Sequence, residues 1–364
     1  MFWTEVLCDI IKEKNTQDRV RRQQQEVTMR KIRIALIGYG NVGQAFARML
    51  IRKSDHIKDE YGMEPVITAI STGRRGGIIL KDGIDTANLT DDMFNKELKA
   101  PEIIASGEYD IMAELTPINI MTGQPATDHI RQALELGKHV ITANKGPIAW
   151  HYRELRDLAA SKGVQFKHEA TVMDGAPVYN MVKETLMGCR ITEVKGILNA
   201  TTNFILTEME KGVSYEDAIE EGRKQGFVEA DPSIDLDGWD ASAKLTALMN
   251  VLMDCQITPM DIRRTGIGEI TKEDLDKAAA EGKKIKLLCH GWVEDGKPVG
   301  VVEPTLVDKN DMAAIMDATM SYVTVNTDLT GEMTMVEHAF EPEIDHTAYG
   351  VLSDLLRILT EITR

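Results

Sequence analysis

The sequence predicts an α/β fold in two units, a parallel-sheet unit followed by a mixed α+β unit whose sheet is largely antiparallel. Three observations predict it. An apolar run at 32–37 passes at once into Gly38-Tyr39-Gly40-Asn41-Val42-Gly43 and then an amphipathic stretch at 44–51. Apolar runs at 111–115 and 139–142 flank a helical stretch at 126–136, which is a β-α-β rhythm. Farther on, apolar runs come in pairs separated by turn residues, as antiparallel neighbours do.

The glycine turn comes first. Gly38, Gly40 and Gly43 permit a tight turn and close approach of a pyrophosphate to the backbone. Asn41 and Val42 open the helix behind them, whose N-terminus offers amide donors and a positive dipole end. Strand before and helix after are the context that G-x-G-x-x-G requires, so 31–168 reads as a Rossmann-type nucleotide-binding domain. A second strand falls at 66–70. An NAD enzyme usually ends that strand in Asp or Glu, which holds the ribose 2′-hydroxyl. This chain has Ser71-Thr72-Gly73-Arg74-Arg75-Gly76 instead. Two guanidiniums and no carboxylate suit a 2′-phosphate, so NADP is favoured, with NAD as the alternative. If Arg74 and Arg75 are only solvated loop charges, that preference disappears.

Loops that follow the strands of such a sheet form its ligand crevice. Glu114-Leu115-Thr116-Pro117 places Thr116 there. Thr142-Ala143-Asn144-Lys145-Gly146-Pro147 would project Lys145 towards the cofactor from a strand end, although composition alone equally allows a surface lysine. A helix at 152–163 and a sixth strand at 164–169 complete the unit.

In the second unit, 196–203 reads as strand passing into helix. Its short hydroxyl and amide side chains suit a small polar ligand, and helix N-capping is the plain alternative. Ser214 with Asp217, and Thr271 with Asp274, have capping-box spacing. Residues 286–293 and 299–307, joined by Asp295-Gly296, read as a hairpin, and 321–326 with 332–337 as another pair. A last helix spans about 345–362, and 345–364 is assigned back to the nucleotide-binding domain. The intervening 169–344 is then a substrate-binding and dimerisation domain. Its antiparallel edge and Met-rich composition would suit a homodimer surface, though such stretches are more often core. Residues 1–30 form an N-terminal extension to which no function is assigned.

The run from Glu229 to Lys244 is the densest in chemistry. It crowds five carboxylates (Glu229, Asp231, Asp235, Asp237, Asp240) ahead of and into a helix that carries Asp240 and, four residues on, Lys244. That spacing puts a carboxylate and an ammonium on one face. The carboxylates can grip a cationic or hydroxylated ligand, and a partly buried lysine can move a proton. The same residues would also fit an exposed helix pair on a solvated loop. A calcium loop is disfavoured, because Asp235-Leu236-Asp237-Gly238 lacks the first Asp and the later Glu of an EF-hand.

Composition bounds the rest. The 364 residues suffice for two lobes, and 43% hydrophobic content is ordinary for a globular chain. A net charge of −16 argues against nucleic acid and against an anionic membrane surface. Cys8, Cys189, Cys255 and Cys289 form no C-x-x-C pair, which fits reduced thiols in the cytoplasm. No apolar run approaches transmembrane length, and the first residues lack the features of a secretory signal.

From about Lys31 to Arg364 the chain resembles the homoserine dehydrogenase family. The resemblance rests on Gly38 to Gly43, Thr142 to Pro147, Gly196 to Phe204, Gly226 to Lys244 and Thr347 to Asp354. The chain looks like a short, single-function form of that family, one expected to lack a kinase or regulatory ligand-binding domain. The resemblance implies hydride transfer between NAD(P) and C4 of aspartate semialdehyde, giving homoserine. It implies that Lys244 and Lys145 handle the alcohol proton, with Asp240 beside Lys244. It also implies that Glu229, Asp235 and Thr201 hold or border the substrate. The family binds a monovalent cation such as Na+ through backbone carbonyls, and these map to Glu169, Val172, Asp174 and Ala176. Three positions depart from the family pattern. Ala200 stands for a usual Gly and narrows the pocket. Met173-Asp174 stands for Gly-Gly or Gly-Ala, and 337–342 replaces a Gly-Ala-Gly turn near the cofactor. These departures keep two further readings in play: a same-fold dehydrogenase for another small amino or hydroxy acid, and a non-catalytic nucleotide-binding homologue.

Overall fold

The computed structural model describes residues 29–338 and 344–363. Among them, twelve strands form two six-stranded sheets. The first sheet holds β1 (Arg30–Ile37), β2 (Met63–Thr72), β3 (Gly76–Ile79), β4 (Ile111–Glu114), β5 (His139–Thr142) and β6 (Phe166–Lys167), in the order β3-β2-β1-β4-β5-β6. All neighbours pair in parallel except β3, which folds back antiparallel on β2. The chain leaves β1 towards one edge and returns to β4 on the other side. A crevice therefore opens past the carboxyl ends of β1 and β4.

Both faces of this sheet are covered, which is why its strands read as continuous apolar runs. Ile32, Ile34 and Leu36 of β1 pack on Phe46, Leu50 and Ile57 of helix Asn41–Tyr61, and on Val351, Leu355 and Ile358 of helix Ile344–Thr363. Ala35 and Ile37 point the other way, towards Ile104, Ile130 and Leu155. Helix Ile344–Thr363 thus packs against the first sheet.

The second sheet holds β7 (Ile191–Ile197), β8 (Arg263–Arg264), β9 (Lys283–Glu294), β10 (Lys297–Asp308), β11 (Ser321–Thr327) and β12 (Gly331–Glu337), in the order β12-β11-β7-β9-β10-β8. Only the β8–β10 contact is parallel. Asp295 and Gly296 turn β9 into β10 with φ of 49° and 76°, the left-handed pair that a two-residue hairpin needs. Helices Ala200–Glu210 and Trp239–Leu252 join the core beside this sheet through Ile205, Leu245 and Met249. Thr271 and Asp274 form the anticipated reciprocal cap, and the Ser214 hydroxyl accepts from the Asp217 amide at 3.1 Å.

Three expected elements are corrected. The helix placed at 152–163 starts at Lys145, because the Asn144 side chain caps it by accepting from Gly146 N, and a bend at His151 hides the continuity. Lys145 therefore belongs to a helix N-terminus rather than to a strand end. The sixth strand is only Phe166–Lys167. Glu169 has left the sheet, drawn into the turn Glu169–Thr171, where its carboxylate accepts the Tyr179 and Asn180 amides at 2.8 and 2.9 Å. The second strand extends to Met63–Thr72. The N-terminal extension up to residue 28 and residues 339–343 lie outside the described residues.

Candidate active site

Asp240 occupies the first turn of helix Trp239–Leu252 and is almost fully buried. Two lysines converge on it from different parts of the chain. Lys145 Nζ donates to Asp240 Oδ1 at 2.6 Å, and Lys244, one turn along the same helix, places Nζ 3.3 Å from Oδ2. Lys244 also donates to the Leu198 carbonyl at 2.8 Å, past the end of β7. Helices Lys145–Lys162 and Trp239–Leu252 pack on one another, and this joins the two halves of the site. The exposed-pair reading of Asp240 and Lys244 is thereby set aside, since only a fifth of the lysine side chain reaches solvent.

The charges act on one another strongly because little water screens them. Burial alone would lift the Asp240 carboxyl, but Lys145 and Lys244 outweigh it and hold the group well below the usual carboxylate range. Burial would likewise lower Lys244. Asp240, Asp174 and Asp235 reverse that and raise it above an ordinary lysine. Asp235 moves the opposite way to Asp240, pushed up by burial and then by the Asp240 charge. The site thus keeps a protonated lysine beside an ionised carboxylate.

Asn199 separates the two carboxylates, a role not legible in the sequence. Its Nδ2 donates to Asp235 Oδ1 at 2.7 Å and to Asp240 Oδ2 at 2.9 Å, while its Oδ1 caps helix Ala200–Glu210 by accepting from Thr202 N. The asparagine was readable as an N-cap. Its second task depends on residues about forty positions away.

Ala200 and Thr201 begin that helix, with Thr201 buried. Ala200 lines a small cavity of roughly 70 Å3 together with Lys244, Asp174, Thr319, Ser321 and Glu337. Two of the sequence departures, Asp174 and Glu337, therefore meet beside Lys244. A larger concavity, about 880 Å3, opens elsewhere, between helices Asn41–Tyr61 and Ile344–Thr363, and is lined by neither Lys145 nor Lys244. Glu229 is not gathered into the charge cluster. It is exposed on its loop, its carbonyl faces Arg223, and its carboxylate makes no ion pair among the described residues.

The glycine turn has the shape a dinucleotide needs. Gly38 sits at φ +103°, and a Cβ there would lie 2.3 Å from the Leu115 carbonyl oxygen. A Cβ on Gly43 would meet Gly38 O at 2.6 Å, while Gly40 faces open space. The first and third glycines thus close the turn, and the second leaves room for a ligand. Asn41 and Val42 begin the helix behind it. Arg74 and Arg75 lie on the β2–β3 turn but do not act as a pair. Arg74 is exposed and makes no ion pair among the described residues. The Arg75 guanidinium lies over the Phe94 ring, 4.4 Å from its centre, and 3.4 Å from Asp91.

The loop expected to hold a cation is shaped by contacts of its own. Asp174 has φ +42°, its carboxylate accepts from the Thr347 hydroxyl, and its carbonyl is pressed against Gly350, where a Cβ would approach to 2.5 Å. The Ala176 carbonyl accepts from Val178 N at 2.8 Å. Of the carbonyls of Glu169, Val172, Asp174 and Ala176, that of Ala176 is thus taken up by an amide of the chain itself. Burial lifts the Glu169 carboxyl to about 7. It also lifts the neighbouring Asp354, which accepts from Glu169 N, to about 8.

Comparison with known proteins agrees with this architecture. Residues 38–169 match the family model described as homoserine dehydrogenase, NAD binding domain, and residues 177–356 match homoserine dehydrogenase. The chain is 37% identical over 337 residues to a homoserine dehydrogenase of Methanocaldococcus jannaschii, covering 89% of this chain and 98% of that one. It is 34% identical to an NAD(+)-dependent homoserine dehydrogenase of Pseudomonas canavaninivorans, covering 92% and 98%. The crystal structure of a homoserine dehydrogenase from Thiobacillus denitrificans superposes with a TM-score of 0.79 at 30% identity, over 92% of this chain and 74% of that one. With two family models spanning both sheets and relatives matched nearly end to end, the chain belongs to the homoserine dehydrogenase family.

Proposed function

We propose that this chain interconverts L-homoserine and L-aspartate 4-semialdehyde, with NADP preferred over NAD. The observation that carries the reading is Asp240 held between Lys145 and Lys244. Hydride exchange at substrate C4 is the chemistry a nicotinamide supplies when bound in the crevice beside Gly38, Gly40 and Gly43. In the reducing direction, negative charge grows on the aldehyde oxygen. The Lys244 ammonium stabilises that charge and gives up its proton. Asp240 keeps Lys244 charged and anchors Lys145 next to it. Asp235 takes the α-ammonium of the substrate, with Glu229 on the solvent side of the same loop and Thr201 and Ala200 bordering the pocket.

Arg74 is the residue we assign to a 2′-phosphate, supported by the absence of any carboxylate between Ser71 and Gly76. Arg75, Thr116 and Lys145 border the same cofactor. We place the domains at 31–168 with 345–364, and at 169–344. A homodimer through the second sheet is favoured by the exposed Leu329, Met333 and Val336 on or beside its edge strand β12. Cytoplasmic residence is in keeping with the unpaired Cys189, Cys255 and Cys289. No helix among the described residues is long and apolar enough to cross a membrane.

The test is turnover of aspartate semialdehyde with NADPH, followed by loss of NADPH absorbance. One observation favours a second reading, a different small amino or hydroxy acid: Ala200, Asp174 and Glu337 all crowd the cavity at Lys244. Confirmed NADPH binding without turnover of either homoserine or the semialdehyde would select it. A non-catalytic role is disfavoured by the presence of both lysines, which nucleotide binding alone does not need.

A further inference from the structure

Glu114 ends β4 as a fully buried carboxylate at the point where the crevice opens. Its strand is otherwise apolar, and no Lys or Arg pairs with it among the described residues. The Thr116 hydroxyl donates to its Oε1, as does Thr116 N at 3.3 Å. The Thr142 hydroxyl lies 3.4 Å from Oε2 and 3.1 Å from the Glu114 carbonyl. His129 Nδ1 is buried 3.5 Å from Oε1. A hydroxyl has one proton to give, so the carboxylate oxygen that receives it fixes the polarity of that hydroxyl. The Thr142 hydroxyl oxygen in turn accepts from Asn144 N at 2.9 Å.

The same rule fixes Thr116. Its proton points inward to Glu114, and its remaining lone pairs can only accept. Thr116 is half-buried beside Gly38, since a Cβ on that glycine would lie 2.8 Å from Thr116 N. That is the junction between β1 and β4, where a dinucleotide crosses the sheet. We propose that Glu114 is a positioning residue that sets the hydrogen-bond polarity of Thr116, so that the Thr116 hydroxyl receives a hydrogen-bond donor, a ribose hydroxyl or a carboxamide N–H, from the nicotinamide half of the cofactor. This rests on the dinucleotide part of the proposed function and is independent of the substrate.

The experiment titrates the full-length protein with NADPH, without substrate, and reads the dissociation constant by nucleotide fluorescence. Thr116→Val should weaken binding roughly two- to tenfold, the worth of one hydrogen bond, and Thr116→Ser should restore it. Glu114→Gln, which can donate to Thr116 and release its polarity, should weaken binding by a similar factor. The double variant Glu114→Gln with Thr116→Val should bind no worse than Thr116→Val alone, because Glu114 acts through that hydroxyl. Additive losses, or a Thr116→Val protein that binds like wild type, overturn the assignment. Should the glutamate variant not fold, a Thr116→Val protein that binds like wild type still overturns the assignment. A wild-type protein that binds no dinucleotide overturns both this inference and the proposed function. Normal binding with no homoserine turnover overturns only the substrate assignment.

Discussion

Lys145 and Asp240 stand 95 residues apart in sequence and meet at 2.6 Å, the first at the start of one helix and the second at the start of another. The ion pair therefore couples the helix that follows the cofactor sheet to the helix that carries Lys244. Removing one partner of such a buried pair typically costs about 3–5 kcal/mol, because the other charge is left uncompensated.

Lys244→Ala should lower kcat by roughly 10²–10⁴-fold in both directions, the usual range for a lost proton donor. NADPH affinity should stay within error of wild type, because Lys244 touches Asp240 and Leu198 rather than the glycine turn. Steady-state rates and a fluorescence titration check this. Ordinary kcat would remove Lys244 from the chemistry and leave Lys145 as the candidate.

The raised Lys244 makes opposite demands on the two directions. Reduction uses the ammonium form, which is fully populated through neutral pH. Oxidation of homoserine needs the free amine, so kcat/KM for oxidation should climb well into the alkaline range while that for reduction stays flat. Asp240→Asn removes the charge that raises Lys244. It should therefore move the oxidation profile to lower pH. Profiles that coincide in the two directions, or an Asp240→Asn profile shifted upward, would contradict this.

Cofactor choice should divide between the two arginines. Arg74→Ala should weaken NADPH and leave NADH nearly unchanged. Arg75→Ala should weaken both, since Arg75 stacks on Phe94 and so holds the shape of the β2–β3 turn. Dissociation constants for each nucleotide with each variant decide this. Equal loss of both nucleotides in Arg74→Ala would mean that Arg74 does not read the 2′-phosphate.

Ala200→Gly tests the pocket. A methyl group in a tight pocket is worth about 1–3 kcal/mol, so a ligand mismatched to Ala200 would gain roughly 10–200-fold in kcat/KM. Homoserine as natural substrate should show measurable wild-type turnover and little gain. A large gain would mark the cavity at Lys244 as shaped for something else.

Local signals were legible and distant ones were not. The caps at Ser214 and Thr271 and the Asp295-Gly296 hairpin are each determined by residues within a few positions, and each forms as the sequence predicts. Lys145 was legible as a residue of interest, but not its place in a helix, because a bend at His151 interrupts the helical period. Asn199 and Glu114 were passed over as a cap and a loop residue. What they do depends on Asp235, Asp240, Thr142 and His129, which only the folded chain brings to them. Glu229 shows the converse: an acidic run marks a loop, but not which of its carboxylates turn inward.

The return of helix Ile344–Thr363 to the first sheet has a consequence for how the molecule is made. Val351, Leu355 and Ile358 close the core over Phe46 and Leu50, residues synthesised some three hundred positions earlier. Domains generally fold as units as the chain emerges, N-terminal first. Here the core of the first sheet includes residues that follow the whole second sheet in sequence. A chain translated only as far as β12 therefore lacks Val351, Leu355 and Ile358, which cover one face of the sheet whose carboxyl ends carry the crevice beside Gly38.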